Sequence, residues 1–377
     1  MPADPIAAVA DGGPLSHQWI AVEDEEPVAD VLGWFSFASA RAPQLMQRYF
    51  GQQQEVQYVA AGASFPVLPI PGGKPLAPAD PTHVTTLEPQ RPDLGARVIQ
   101  ANAAGKGELH LMAIGVNQYR TATMNLKYAA RDAQAIADLF TSRGPALFSK
   151  LNIRTLVDAQ ATREGILNAV ADTARNAKPE DTLIVFAAGH GAMVGQRYYF
   201  LPHDLERKAE MVADDIRAGG LPADELGEAL AKVPARQRML ILDTCASGGA
   251  LQLARGGVDP FSFRGAIERL GQDGSVFTIA ASAAADEAQE IDALGHGLLT
   301  YCLLAGLNAV DSGPLAAAGL HGNRPDGLAD VLEWFSYASG QVPRVSRDLL
   351  GIVQEVQSSG HGASFVVLPL RGTKTRP

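Results

Sequence analysis

The chain has 377 residues, of which 46% are hydrophobic and 19% are charged, and this composition is that of a globular protein. The net charge of −10 argues against nucleic acid or an anionic membrane as a partner and favours basic ligands. Because a single core rarely grows beyond about 250–300 residues, we expect one sizeable domain and an additional segment.

The cysteine content and the apolar runs indicate the cellular compartment of the protein. The two cysteines, Cys245 and Cys302, are too few for a disulfide framework, which favours a reducing environment. Cys302 lies in the apolar run LLTYCLLAGL and is expected to be a core residue. The first 13 residues have neither the basic start nor the apolar run of a secretory signal, and no apolar stretch reaches the roughly 20 residues of a membrane helix. These features predict a cytoplasmic protein with no membrane partner.

An internal duplication links the two ends of the chain. The segment ADVLGWFSFASA, which begins at Ala29, returns as ADVLEWFSYASG at Ala329, and the offset of 300 is kept without a gap through GASFPVLPI and GASFVVLPL. Each copy predicts a helix, a loop and a strand. In the second copy the helix is expected from about Ala329 to Gly340, before Pro343, and the strand over about 363–368. Such a unit cannot bury its apolar face alone, so each copy needs a sheet on which to pack.

This duplication sets the predicted domain organisation. We expect residues 1–70 to be a partial N-terminal duplicate of the C-terminal helix–loop–strand segment, 71–107 to be a proline-rich linker and 108–377 to be the main domain. Two interpretations of the N-terminal copy stay open: the tail of a lost or missing domain, or an extension that packs on the core. The duplicate also predicts self-association or association with a neighbouring domain.

The main domain alternates predicted strands and helices. The strands are apolar runs, as expected where both faces of a sheet are covered: LHLMAIGV, LNIRTLVD, DTLIVFAAGHG, RMLILDTC and GSVFTIAAS. The helices are expected over about 130–140, from Thr162 as N-cap to about 176, over about 224–232, and in GLLTYCLLAGL. This alternation predicts a mostly parallel sheet with helices on both faces and the duplicated C-terminal strand at an edge. In such sheets the chemistry lies beyond the carboxyl ends of the strands.

Two reactive side chains leave the carboxyl ends of successive predicted strands. His190 stands in a Gly-His-Gly triplet after the third strand, and Cys245 ends the fourth. A free thiol is only a few per cent thiolate at neutral pH, and a nearby imidazole can take its proton. The N–H groups of Gly191 and Cys245 suit an oxyanion hole. Two further Gly-His-Gly triplets, at His296 and His361, precede a helix and a strand, so we expect only His190 and Cys245 to form a catalytic dyad.

These motifs resemble the caspase-like cysteine peptidases. The resemblance rests on FAAGHGAM and LILDTCASGG, whose His and Cys are 55 positions apart, and on GHGLLTYCLLAGL and QEVQ…GASFVVLP, and it covers about residues 108–370. It implies an α/β protein with the three-layer caspase–haemoglobinase fold, in which a mostly parallel sheet of about six strands lies between helices. It also implies hydrolysis of peptide bonds through a thioester.

The resemblance further implies a specificity pocket for basic side chains. The sequence Asp243-Thr244-Cys245 is similar to that of metacaspases and their bacterial relatives, which cleave after Arg or Lys, and differs from the Gln-Ala-Cys of animal caspases. By this likeness Asp243 and Asp132 line the pocket, and Ser282 is a candidate for the cleft. Two carboxylates suit a guanidinium or ammonium group. Without the resemblance, Asp132 is a helix-start acid favoured by the helix dipole, and Asp243 is an acid in a turn.

Calcium is a further property of many metacaspases, which bind it through a cluster of acids. Asp204 and Asp224 match two of these positions weakly, one acid of the usual pair at the second position is missing, and GGALQLARGG supplies none. Since hard cations need six to eight oxygen ligands, we expect no required cofactor or metal, and calcium dependence stays open.

The sequence therefore predicts a cysteine endopeptidase that acts on polypeptides with basic residues. The alternative is a caspase-like adaptor or assembly module with little or no proteolytic activity. Retention of both His190 and Cys245 favours the enzyme, and a thiol esterase fits less well because Asp243 replaces the first glycine of a Gly-x-Cys-x-Gly elbow. Self-cleavage is a separate hypothesis, with candidate sites at Arg255, Arg264 and Arg269.

Overall fold

The structure is a computed structural model. It describes residues 107–206, 213–245, 263, 265–267, 276–282, 291–316, 319–320, 327–362 and 364–370, and the strand segments 28–30, 58–62 and 66–69. The predicted linker 71–107 lies outside these residues except for its last position. The chain divides into two compact units, one of Met1–Gln54 with Ser64–Gln90 and one of Glu55–Ala63 with Arg91–Pro377.

The described strands and helices are numbered in chain order. The strands are β1 (Val28–Asp30), β2 (Tyr58–Gly62), β3 (Pro66–Pro69), β4 (Leu109–Gly115), β5 (Leu151–Val157), β6 (Thr182–Val194), β7 (Arg197–Phe200), β8 (Leu221–Pro222), β9 (Gln237–Cys245), β10 (Val276–Ser282), β11 (Leu328–Asp330), β12 (Glu355–Gly362) and β13 (Val366–Pro369). The helices are α1 (Ala129–Arg143), α2 (Arg163–Asn176), α3 (Ala213–Gly219), α4 (Ala223–Ala231), α5 (Leu298–Gly306) and α6 (Val331–Leu350). The pair β1–β3 belongs to the first unit, and the other elements belong to the second.

One mostly parallel sheet organises the second unit. Its strands follow the order β2-β12-β10-β9-β6-β4-β5, and the five from β10 to β5 run parallel to one another. Strand β12 is antiparallel to β10, and β2 is antiparallel to β12. Strand β6 continues past the parallel part and pairs antiparallel with β7, which in turn pairs with β8. The predicted fold class is confirmed.

A separate hydrophobic core lies on each face of the sheet. Along β6, Ile184 and Phe186 pack into the core that holds α1, α5 and α6, whereas Leu183 and Val185 pack into the core that holds α2 and α4. Because successive side chains of a strand point to opposite faces, a strand covered on both sides must be apolar throughout. This explains the unbroken apolar runs and gives three layers.

Helix α6 differs from its prediction because it passes through Pro343. It spans Val331–Leu350, well beyond the expected end near residue 340. Asp330 caps its start in a capping box with Glu333, whose side chain accepts from the Asp330 N–H at 3.2 Å. The buried stripe continues on both sides of the proline, to Val342 and Val345, and this burial outweighs the roughly 3 kcal/mol cost of an interior proline.

The strand prediction for the C-terminal repeat is also wrong in part. The expected strand over 363–368 is β13, which pairs with β11 rather than with the main sheet. The strand that extends the main sheet is β12, whose sequence EVQSSGHG is polar and rich in glycine and is therefore typical of a loop. Its buried polar residues Gln357, Ser358 and Ser359 pair with β10, and the two serines also pair with β2. Sheet pairing rather than side-chain propensity therefore makes this segment a strand.

The N-terminal repeat contributes the outermost strand of the main sheet, since β2 pairs with β12. In the described part of the chain, every helix is too short or too polar to cross a bilayer.

Candidate active site

The end of the parallel part of β6 and the carboxyl end of β9 bring the two predicted catalytic residues side by side. His190 lies within β6, which continues to Val194 and pairs there with β7, rather than after the strand as the sequence predicts. These strands are parallel neighbours, and their register places His190 directly opposite Cys245, at the last pair of the ladder. Adjacent strands lie about 4.8 Å apart, so the two backbones meet at the carboxyl edge of the sheet. The structure describes the backbone of Cys245 but not its side chain.

The ring of His190 is held by the loop that follows β4. Its Nε2 lies 2.8 Å from the Met124 carbonyl oxygen, and its backbone N–H donates to the Tyr119 hydroxyl at 2.8 Å. The rings of Tyr119 and His190 are 5.1 Å apart. Because a carbonyl oxygen can only accept, Nε2 carries the hydrogen, and the lone pair of a neutral ring is on Nδ1. This tautomer suits a general base that acts through Nδ1.

The glycines on either side of His190 shape the backbone. Gly189 has a φ of +154°, a conformation that favours glycine. The N–H of Leu201 donates to the carbonyl of His190 at 2.9 Å. Since the C=O and N–H of a trans peptide point in opposite directions, the N–H of Gly191 points away from β7. An added Cβ at Gly191 would lie 2.5 Å from the Tyr198 hydroxyl, so a side chain there has no room.

A hydrogen bond ties β7 to the end of β9. The Tyr198 hydroxyl and the Thr244 hydroxyl are partners, and both residues are buried. Thr244 immediately precedes Cys245, so this bond fixes the backbone from which Cys245 emerges.

Asp132 is held at the start of α5 although it belongs to α1. The residue is only 2% exposed. Its Oδ1 lies 2.6 Å from His296 Nδ1, and its Oδ2 accepts from the Gly297 N–H at 2.9 Å. An acid near a helix N-terminus is favoured by the helix dipole. The sequence predicts that Asp132 interacts with the dipole of α1. In the structure its carboxylate also lies at the N-terminus of α5 and interacts with the dipole of that helix.

Asp243 meets the same helix terminus from β9. Its Oδ2 accepts from the Thr300 N–H at 2.9 Å and from the Thr300 hydroxyl at 2.5 Å. An added Cβ at Gly297 would lie 2.5 Å from Asp243 Oδ2 and 3.1 Å from Asp132 Oδ2. Both carboxylates therefore lie against the Cα of one glycine, which is the N-cap of α5. The structure thus brings the two predicted pocket acids together.

Burial raises the pKa of Asp132 to about 7, and the negative charge of Asp243 adds to this effect. The hydrogen bonds from His296 and Gly297 oppose it. A positive charge close to both carboxylates would stabilise their ionised forms and would therefore lower the pKa of Asp132.

The remaining predicted residues have other surroundings. The backbone of Ser282 ends β10, opposite Glu355, but its side chain is outside the described residues. Asp204 Oδ1 accepts from the Arg163 N–H at 3.1 Å, at the start of α2. Asp224 forms an ion pair with Arg197 at 2.6 Å. Among the residues that the structure describes, no three or more His, Cys, Asp or Glu side chains are grouped as metal ligands.

Two other predictions concern single residues. Cys302 is fully buried in α5 and its burial raises the pKa of the thiol, in keeping with a core residue. The candidate self-cleavage sites Arg255, Arg264 and Arg269 lie outside the described residues.

Sequence reasoning missed His296, Tyr119 and Met124. His296 has no predicted role because its Gly-His-Gly triplet precedes a helix, yet that position brings its ring into contact with Asp132. Tyr119 and Met124 belong to a loop without a motif, and Met124 contributes only a backbone carbonyl, so its residue type carries no signal. The position of the loop after the first central strand is the one clue, since such loops line the active edge of a parallel sheet.

Comparison with known proteins identifies the class. A mostly parallel sheet between two helix layers, with the candidate site at its carboxyl edge, is the architecture of a caspase-like α/β protein. Residues 110–348 match the sequence model of the family described as Caspase domain, Peptidase_C14. The chain therefore belongs to this family of cysteine peptidases. Among solved structures it is similar to protein GSU0716 from Geobacter sulfurreducens, with 14% identity and a TM-score of 0.41 over 67% of this chain and 94% of that one. No curated protein matches it.

Proposed function

We propose that the chain is a cysteine endopeptidase in which Cys245 is the nucleophile and His190 is the general base and acid. The observation that carries the proposal is the direct pairing of His190 with Cys245 at the end of the parallel ladder between β6 and β9. The contact between His190 Nε2 and the Met124 carbonyl supports it, because it leaves the basic lone pair on Nδ1. The subgroup most consistent with Asp243-Thr244-Cys245 is that of metacaspases and their bacterial relatives, in the cytoplasm.

The proposed reaction has two stages. His190 Nδ1 takes the proton of the Cys245 thiol, and the sulfur attacks the carbonyl carbon of the scissile bond. The oxyanion of the tetrahedral intermediate accepts from the N–H groups of Gly191 and Cys245. As the C–N bond breaks, the imidazolium gives its proton to the leaving amine, and a thioester remains. Water then attacks the thioester while His190 takes its proton, and the acid product and the free thiol are released.

We also propose that Asp132 and Asp243 select substrates with Arg or Lys before the scissile bond. Each carboxylate oxygen has two lone pairs, so bonds to the α5 terminus leave capacity for a guanidinium or ammonium group. The burial and mutual repulsion that raise the pKa of Asp132 are relieved by such a group. An acidic side chain would increase the repulsion instead. The substrates are therefore polypeptides with exposed basic residues.

One assay tests the nucleophile. The two cysteines supply a matched pair, because Cys245→Ala removes the proposed nucleophile and Cys302→Ala changes a buried core position. We expect hydrolysis of fluorogenic peptides ending in Arg or Lys by the wild-type chain and by Cys302→Ala, and a loss of at least about 1000-fold in Cys245→Ala. Full activity of Cys245→Ala would contradict the assigned nucleophile, and cleavage only after Asp would contradict the pocket.

The same assay separates the remaining possibilities. Calcium and a chelator are added in parallel, so that a requirement for the ion appears as activity in one arm alone. A chain that hydrolyses peptides while it remains a single band does not require self-cleavage. The adaptor alternative predicts no hydrolysis by the wild-type chain in either arm, although the protein is folded. The position of the N-terminal repeat on the sheet edge is the observation that favours that alternative.

A further inference from the structure

His296 is a basic side chain in direct contact with the acids of the proposed pocket. Its Nδ1 lies 2.6 Å from Asp132 Oδ1, and 14% of the His296 side chain is exposed against 2% of the Asp132 side chain. The other oxygen of Asp132 accepts from the Gly297 N–H at 2.9 Å. A Cβ added to Gly297 would approach the carboxylates of both Asp132 and Asp243. One imidazole and two carboxylates therefore form a single cluster at the start of α5.

The neighbouring elements carry other charged and titratable groups. Lys127, just before α1, forms an ion pair with Asp292 at 2.9 Å, and Arg131 of α1 is exposed. Burial raises the pKa of the Cys302 thiol on α5, so this group is neutral. The imidazole of His296 is thus the basic group whose contact with the buried acid of the cluster is direct.

One extra proton can occupy this cluster in two ways. It is on the carboxyl of Asp132, or it is on His296 as an imidazolium beside the ionised carboxylate, and both arrangements have the same net charge. Two carboxylates close together and partly buried do not both ionise readily without a positive charge. Burial raises the pKa of Asp132 to about 7, and the charge of Asp243 adds to this effect. The extra proton is therefore present in acid and is lost near neutrality.

We propose that His296 is a positioning residue of the basic pocket, and that the pocket exchanges one bound proton for the positive charge of an Arg or Lys side chain. This inference rests on the pocket of the proposed function. In the occupied pocket His296 Nδ1 donates to the ionised Asp132, and the displaced proton passes to water. The partly exposed ring is the route for that proton, because Asp132 itself is almost fully buried. Basic substrates therefore bind more tightly as pH rises to about 7, with no further gain above it.

Isothermal titration calorimetry of the Cys245→Ala chain counts the displaced protons, because this chain lacks the proposed nucleophile and binds a peptide without cutting it. A blocked peptide with Arg before the scissile bond and a matched peptide with Gln there are titrated in buffers of different ionisation enthalpy. Both peptides place the same backbone beside His190, so the difference between them reports the pocket alone. We expect the Arg peptide to bind more tightly and to release about 0.5–1 proton more than the Gln peptide at pH 6, and less than about 0.1 at pH 8.5. Tighter binding of the Arg peptide without proton release would overturn the exchange and leave the pocket in place. Equal affinity for the two peptides would contradict the pocket and this inference together.

Two variants in the same background test the positioning role. His296→Ala removes a hydrogen bond that favours the ionised carboxylate, and this bond lowers the pKa of Asp132 more than the charge of His296 does. His296→Asn is the conservative control, because its amide N–H can donate from close to the position of Nδ1. We expect the midpoint of Kd against pH for the Arg peptide to be about one pH unit higher in His296→Ala, and close to that of the parent in His296→Asn. A change of affinity without a shift of this midpoint, or the same profile in all three proteins, would overturn the role of His296. The proton count in the Cys245→Ala chain does not depend on the folding of either variant.

Discussion

The Nε2 atom of His190 lies 2.8 Å from the carbonyl oxygen of Met124, and this contact assigns the hydrogen and the lone pair of the ring. The Tyr119 hydroxyl fixes the same residue by accepting from its backbone N–H at 2.8 Å. The loop after β4 thus positions His190, the proposed base, although His190 belongs to β6.

Loss of the Tyr119 hydroxyl is expected to slow the reaction without unfolding the protein. Tyr119→Phe removes the acceptor of the His190 N–H, and a neutral hydrogen bond contributes about 0.5–1.5 kcal/mol. We expect kcat to fall about 3- to 10-fold with KM nearly unchanged, because the variant misplaces the base and leaves the pocket intact. Steady-state kinetics and thermal unfolding of both proteins check this. A rise in KM at constant kcat would be inconsistent with a role through His190.

Asp132 gives a stability that depends on pH with a definite sign. Its pKa is about 7 in the folded protein against 3.8 for an ordinary aspartate, so between these values the folded state binds more protons than the unfolded state. The free energy of unfolding then falls as pH rises from about 4 to about 7, by at most about 4 kcal/mol from this group. Below pH 4 both states are protonated and the contribution is complete.

Asp132→Asn removes this titration and supplies the test. We expect the wild type to lose more stability than the variant over that pH range, as measured by urea unfolding at pH 4.5, 6 and 7.5. Equal slopes for the two proteins would show that Asp132 does not titrate in this range. A basic ligand should reduce the wild-type slope, since it stabilises the ionised carboxylate.

The core of the fold follows from the sequence, and its periphery does not. Strands such as β6 and β9 are continuous apolar runs that only a doubly covered sheet can bury, so their pairing and the meeting of His190 with Cys245 could be predicted. Strand β12 could not, because its polar sequence has strand structure only through pairing with β10 and β2. Pro343 is a local signal that the long-range packing of α6 overrides.

The candidate site divides in the same way. Asp132 and Asp243 could be predicted as pocket acids from the family resemblance. Both are far from His296 in sequence, however, and they meet at the N-terminus of α5 only because of the sheet topology. Contacts between residues so far apart in the chain leave no local pattern in the sequence. The Met124 carbonyl is the extreme case, since every residue has one.

Gly297 is expected to control the pocket because both carboxylates lie against its Cα. In Gly297→Ala the new Cβ would lie 2.5 Å from Asp243 Oδ2, so at least one carboxylate must move. We expect KM for an Arg substrate to rise by about 10-fold or more and stability to fall by about 1–3 kcal/mol. Gly340→Ala is the matched control, since nothing lies within 4 Å of its added Cβ, and in a helix it is expected to stabilise by about 0.5–1 kcal/mol. Equal KM values for the two variants would show that Gly297 does not shape the pocket.

Asp181 is expected to affect stability and not catalysis. It lies just before β6, at the amino end of the sheet, opposite the candidate site. Burial opposes its ionisation, but bonds from the N–H groups of Glu108 and Lys178 and from His110 lower the pKa of its carboxyl. These bonds measure 2.8, 2.7 and 3.1 Å.

Asp181→Ala leaves those donors without their acceptor. Because hydrogen bonds to a charged group contribute about 1.5–3 kcal/mol each and are not additive, we expect a loss of about 2–4 kcal/mol in the free energy of unfolding at pH 7. The wild-type contribution is present above the ordinary aspartate pKa and is lost as pH falls through the lowered folded value, so the difference between the two proteins should shrink in acid. Urea unfolding at pH 7 and pH 3 measures this, with peptide hydrolysis at pH 7 and a temperature well below the unfolding midpoint as the second readout. A changed KM for Arg substrates in folded Asp181→Ala would contradict the assignment, because no contact of Asp181 reaches the pocket acids.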